Sequence, residues 1–384
     1  MWNSIIRFVA VAGVLCFAAL AMGVRPSPAG TPSANAIGED DRGLVRIVEP
    51  LDAEASAKLA VEQLQALGSR STLTRAEPFL IVSDAEAAWT QNRAALLQRA
   101  SHQFKRFADR LGFRLEPSEQ PLVVVLVNDH DRYAEFARRH DAVDAGWVAG
   151  YYASLSNRVV FYNDETGPMA AQAGERLREF DDLVSRAKDM ASDARRERRP
   201  EVAATLEKRA AEMAAKVKHE RHRVTSATRV NGQAKAVHEA VHLLAFNWGL
   251  QARDREYPFW LTEGLATNFE TEKPGNAFGP EHEFEPRRRD FERLRQDGRL
   301  LPVEVLVQLM AVPGDDEEMA DVMYAQSWSL FRYLFRYERA SLCEYFRDIL
   351  GQPAGRMGPK RHLELFRARF GDVDALERAW LKRA

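Results

Sequence analysis

The chain has 384 residues, 46% of them hydrophobic, which is enough to bury the core of one large domain or two ordinary ones and excludes a small stapled scaffold. Lys and Arg number 54 against 56 Asp and Glu, for a net charge of −2, so no global field points toward nucleic acid and no nucleic-acid partner is expected. Partners have to be argued from sites.

Residues 1–36 carry one early positive charge, Arg7, then an uncharged apolar run from Phe8 to Val24 and a small-residue stretch ending Ser33-Ala34-Asn35-Ala36. This pattern predicts an export signal, either cleaved or kept as an N-terminal membrane anchor, with the bulk of the chain outside the cytoplasm in both cases. Cys16 falls inside it, and Leu15 is not the small residue that a lipidated cysteine needs before it. Removal of the leader would leave Cys343 alone, without a disulfide partner, and its apolar setting reads as a buried small hydrophobe.

A linker and N-terminal segment, 37–76, is expected to precede an α/β part over 77–250. Glu77 to Val82 reads as a strand, and Ser83 with Glu86 three later forms a capping-box pattern. Trp89, Leu96, Ala100, Phe104, Phe107 and Leu111 then recur at helical spacing until Gly112. Pro121 to Val127 is a β-branched run that predicts a buried strand, followed by a short helix from Asp131 to His140. Two further strands, Trp147 to Tyr152 and Arg158 to Tyr162, are joined by a turn at 154–157. Residues 169–223 change texture, being rich in Ala, Arg, Glu and Lys. Leu177, Phe180, Val184, Ala187, Ala191 and Ala194 alternate spacings of three and four. After Pro200, Val202, Leu206, Ala210, Met213 and Val217 resume them. This predicts an inserted antiparallel helical hairpin with solvated charged faces, a candidate surface for a protein partner. Everything from 251 to 384 reads as a helical subdomain. The fold class is therefore α+β: a small mixed sheet with helices, then a mainly helical C-terminal part.

The stretch His238-Glu239-Ala240-Val241-His242 carries the chemistry. Residues four apart lie on one face of a helix, so both imidazoles can aim at one point with Glu239 beside it. Five letters alone are a weak signal. A catalytic zinc wants three protein donors and an open position, and Glu263 in Trp260-Leu261-Thr262-Glu263-Gly264-Leu265-Ala266 supplies the third from a second helix. Gly264 and Ala266 are small where helices must approach closely. Thr267 and Glu270, four and seven residues on, are placed to hydrogen-bond a ligating histidine.

HEAVH followed by WLTEGLATNFE resembles the gluzincin zinc metallopeptidases, and the stretch from His238 to Glu270 is also similar to uncharacterised exported bacterial proteins with a gluzincin-like domain of unknown function. The resemblance implies a zincin-like fold, one Zn2+ ion on His238, His242 and Glu263, and peptide hydrolysis by a zinc-activated water with Glu239 as general base. It also implies that Tyr324, in Met323-Tyr324-Ala325-Gln326-Ser327, polarises the tetrahedral intermediate, although Gln326 and Ser327 replace the Lys-Gly of the aminopeptidase pattern. The amine-anchoring Gly-x-Met-Glu-Asn segment of those aminopeptidases is missing. The segment Asn157 to Asn163 could hold an extended peptide by edge pairing, which favours an endopeptidase acting on a peptide or protein substrate. The alternative is a non-catalytic gluzincin-like binding or scaffolding module, with or without the zinc, with the hairpin as its interaction surface.

Other polar clusters have plainer readings. His219 and His222 sit on the charged hairpin with no third donor, and Asn128-Asp129-His130-Asp131 reads as the cap of the helix that follows.

Overall fold

The computed structural model describes residues 53–68, 71–118, 120–145 and 150–384. The expected leader or anchor, with Cys16, lies outside the described residues, as does Trp147 in the expected third strand. The elements are α1 (Ala53–Leu67), β1 (Thr72–Ala76), β2 (Phe79–Ser83), α2 (Ala87–Leu111), β3 (Leu122–Val127), α3 (His130–His140), β4 (Gly150–Ala153) and β5 (Arg158–Tyr162). They continue with α4 (Pro168–Arg196), α5 (Pro200–Asn247), α6 (Phe259–Thr267), α7 (Glu285–Gln296), α8 (Val303–Leu306), α9 (Glu317–Tyr337), α10 (Arg339–Leu350), α11 (Pro359–Phe370) and α12 (Val373–Arg383). The architecture is α+β, a small mixed sheet among many helices. Among the described residues no helix is long and apolar enough to cross a membrane.

The sheet runs β1-β2-β3-β5-β4, with β2, β3 and β5 parallel and the two outer strands antiparallel to their neighbours. All six residues of β3 are buried because both faces are covered. Leu122, Val124 and Leu126 face the large core under α2, α5 and the C-terminal helices, while Val123, Val125 and Val127 face the smaller core with Ala60, Leu67, Tyr133 and Phe136 from α1 and α3.

The structure corrects several expectations. Within the expected linker and N-terminal segment, Ala53–Leu67 forms α1 and Thr72–Ala76 forms β1, which pairs with β2 in register from Thr72–Ser83 to Ala76–Phe79. The capping box does not form. Ser83 is the last residue of β2, and its hydroxyl accepts the Ala85 N–H and pairs with Thr90 Oγ1 at 2.7 Å. The end of α2 is as expected, with Gly112 closing it in the left-handed conformation at φ +80°. Asp129 caps α3 by accepting the Arg132 N–H at 3.0 Å, and β5 is an interior strand flanked by β3 and β4, so it has no free edge for a substrate. The edge strands are β1 and β4.

The hairpin is not a separable insertion ending at 223. Its second helix continues without a break to Asn247, 48 residues, or about 72 Å at 1.5 Å per residue. Its buried stripe also has a seven-residue period, Leu177, Val184 and Ala191 against Ala203, Ala210 and Val217, which leaves Phe180 and Val202 exposed.

Candidate metal centre

The C-terminal third of α5 is buried on all sides, from Ala236 to Ala245, because the sheet, α2 and α6 surround it. His238 and His242 lie one turn apart there, their rings 4.9 Å between centroids at 74°. After α5 ends, residues 248–258 turn the chain back, and α6 carries Glu263 to the same point. Asn268 fastens this return by donating from Nδ2 to the Gly264 carbonyl at 2.7 Å and to the Trp328 carbonyl at 2.9 Å.

His238 Nε2 lies 3.1 Å from Glu263 Oε2 and 3.1 Å from His242 Nε2, and His242 Nε2 lies 3.4 Å from Glu263 Oε1. Donor atoms bound tetrahedrally at 2.0–2.1 Å would be separated by about 3.4 Å, so the spacing of the two nitrogens, with one Glu263 oxygen near each of them, suits one small cation. Two imidazoles and a carboxylate also form a donor set suited to zinc. The residues present fit the group that the motif implies, and His238, His242 and Glu263 are brought together as expected.

The electrostatics of the site favour positive charge at this point. Burial alone would lower the His238 pKa, but hydrogen bonds to Glu263 and Glu270 raise it to about 10. Burial raises Glu239, opposed by the two histidines and by the Tyr152 backbone N–H, which donates to its carboxylate. Burial would likewise raise Glu263, but His242 and His238 hold it below its usual range.

Glu270 stands behind His238, its Oε1 3.1 Å from Nδ1, and Arg287 clamps the same carboxylate through Nε at 2.8 Å and Nη2 at 2.7 Å. The expected contact of Glu270 with His238 is therefore seen, although Glu270 lies beyond the end of α6. Thr267 does not join it: its hydroxyl donates back to the Glu263 carbonyl at 2.6 Å, within its own helix. Gly264 makes its close approach to α9, where a Cβ would meet the Ser327 carbonyl at 2.7 Å and Phe331 Cβ at 3.0 Å.

Tyr324, on α9, is buried beside the centre. Its ring lies 6.4 Å from the His238 ring, packs edge-on against Phe259 and carries the Arg287 guanidinium at 5.5 Å. Arg287 and Tyr152 are the participants that sequence reasoning missed. Arg287 sits in an Arg-Arg-Arg run on a polar helix, and nothing in that run distinguishes the residue that turns inward. His219 and His222 are exposed on α5, away from any third donor in the described residues, in keeping with their expected surface role.

A family model described as "Protein of unknown function (DUF1570)" matches residues 233–353, about a third of the chain, and these contain every residue of the centre except Tyr152. No curated protein and no solved structure matches the chain.

Proposed function

We propose that the chain is an exported, zincin-like zinc metallohydrolase of the gluzincin kind, and that it cleaves peptide bonds as an endopeptidase. The observation that carries this reading is the convergence of His238 Nε2, His242 Nε2 and the Glu263 carboxylate, the two nitrogens 3.1 Å apart, Oε2 3.1 Å from the first and Oε1 3.4 Å from the second, with Glu239 on the same helix. A scaffold that only held zinc would have no use for the adjacent carboxylate.

His238, His242 and Glu263 would hold the ion, and a bound zinc supplies Lewis-acid chemistry, lowering the pKa of a water and polarising a carbonyl. Glu239 then accepts the proton of the attacking water and returns it to the leaving amine as the C–N bond breaks and a C–O bond forms. Its pKa, raised by burial, suits a group that must both take and give a proton. Tyr324 is assigned to stabilise the charge that develops on the carbonyl oxygen. The Tyr152 N–H on Glu239 supports the endopeptidase reading, because it brings edge strand β4 against the base, where an extended peptide can pair with the strand.

The test is a peptide-library digest by the zinc-loaded protein, with and without a chelator, beside the Glu239→Gln variant. Expected are chelator-sensitive cleavage by the parent, and a variant that retains one equivalent of zinc but turns over at least about 10³-fold more slowly. Zinc bound by both proteins with cleavage by neither would leave the binding-module reading. That reading draws on the burial of the donors, His242 and Glu263 each being 3% exposed.

A further inference from the structure

A basic cleft lies one to three turns up α5 from the metal centre. It encloses about 380 Å3 between α2 and α5, lined by Trp89, Arg93 and Arg99 of α2, Asp164 in the turn after β5, and Arg229 and Gln233 of α5. Arg229 and Gln233 precede His238 by nine and five residues, so the cleft runs about 8–14 Å from the centre along the helix axis. At roughly 3.3 Å per residue of extended peptide, that is two to four residues from a bond held at the centre.

Arg93 makes this a built site. It is 7% exposed, its guanidinium packs on the Trp89 ring at 4.9 Å, and Nη2 lies 3.3 Å from Asp164 Oδ2. Among the described residues Nη1 has no hydrogen-bond partner, and a buried guanidinium N–H left dry is costly unless an acceptor reaches it. The geometry around the pair is fixed from behind, because a Cβ at Gly232 would meet Asp164 Oδ2 at 2.0 Å and Arg93 Nη2 at 2.6 Å. This also explains a glycine in the middle of a long helix. Asp164 is answered by Arg93 and by Lys235, whose charge also acts on Glu239 and Glu270. Glu165 on the rim is exposed and its charge acts on Arg93, while Arg99 and Arg229 line the same cleft. Arg99 is itself tied to the Gly275 carbonyl at 2.6 Å, in the loop that follows Glu270. The balance is an excess of guanidinium with one donor unspent.

We propose that this cleft is a subsite that recognises a carboxylate of the peptide substrate, with Arg93 at its floor and Arg99 and Arg229 at its rim. The proposal rests on the peptidase reading of the metal centre. A planar carboxylate suits guanidinium donors, and the modest excess charge suits a monoanion.

Zinc-loaded full-length Glu239→Gln protein is titrated with three labelled, N-acetylated alanine-rich peptides: one with a single internal Glu and an amidated C-terminus, its Gln counterpart, and the Gln counterpart with a free C-terminal carboxylate. Fluorescence anisotropy is expected to show one of the two carboxylate peptides binding about tenfold more tightly than the amidated Gln peptide. Which one it is names the source of the carboxylate. Adding Arg99→Gln and Arg229→Gln together should bring the preference to within twofold. Arg93→Gln should do the same wherever its melting curve shows it folded, and the rim pair carries the test if it is not. Equal binding of all three peptides, or a preference that survives in the rim double variant, overturns the proposal. Cleavage by the Glu239 parent is read separately. A protein that prefers carboxylates but cleaves nothing sinks the peptidase reading and leaves the subsite, whereas cleavage without charge preference sinks the subsite alone.

Discussion

His238 and Glu270 meet through Nδ1 and Oε1 at 3.1 Å, on the side of the imidazole away from Glu263. With a metal on Nε2 that contact would fix the tautomer, Nδ1–H donating to Glu270 and the Nε2 lone pair facing His242 and Glu263, and it keeps the ring from swinging out of line. Arg287 holds the carboxylate in both directions, so the three residues form one rigid strut from α7 to α5. Burial would raise the Glu270 pKa, but the Arg287 charge and the His238 hydrogen bond keep it below its ordinary value.

Glu270→Gln should therefore weaken zinc binding by about 10- to 100-fold without removing a ligand. It should also destabilise the fold, because a buried Arg287 loses its counter-charge. Competition with a chromophoric chelator measures the first effect and urea unfolding the second. Parent-like zinc affinity in a folded Glu270→Gln protein would show that His238 is positioned by something else.

Gly264→Ala adds a single methyl group, at the point where α6 and α9 are closest. With backbone oxygen at 2.7 Å and Phe331 Cβ at 3.0 Å, neither neighbour is a flexible tip that can step aside. The helices must separate, at a cost of about 1–3 kcal/mol, and the shift displaces Glu263 next door. Denaturant unfolding should show that loss, together with weaker zinc binding. The expectation is sunk if the variant is as stable as the parent with zinc affinity unchanged.

Much of the centre was legible in the sequence because its signal is local. His238 and His242 sit at helical spacing, and Trp260 to Ala266 is a short apolar frame whose one acid, Glu263, has no solvated face to occupy. The sheet interior was legible for the same reason, since β3 is a run of β-branched and aliphatic residues. What was not legible depends on pairing at a distance. Thr72 to Ala76 buries only Ala76, with Thr74 half-buried and the rest exposed, so it does not read as a strand until β2 lies beside it. The reach of Arg287 into Glu270 is set by how α7 docks, and the unbroken course of α5 from hairpin to metal centre is hidden because its exposed half is polar and its buried half is apolar all round. Edge and interior positions in a sheet are a matter of strand order, which Asn157 to Asn163 does not carry, so the free edges fall on β1 and β4 and not on β5.

His362, on α11, is wholly buried, and among the described residues neither of its ring nitrogens has a hydrogen-bond partner. Burial lowers its pKa from 6.5 to about 4, so the native state keeps the ring neutral where the unfolded chain would protonate it. Between those two values the unfolded state binds the extra proton, and stability falls as pH falls, by about 3 kcal/mol across the whole window. Above pH 7 the ring is neutral in both states and contributes no slope; below about 4 both states are protonated and the loss is complete. A His362→Leu variant, of similar bulk and without the titration, should be close to the parent at pH 7.5 and gain on it steadily from pH 6.5 down to 4.5. Urea unfolding of both proteins at several pH values checks this, and parallel stability curves across that window would mean that the buried ring is not what weakens the acid side.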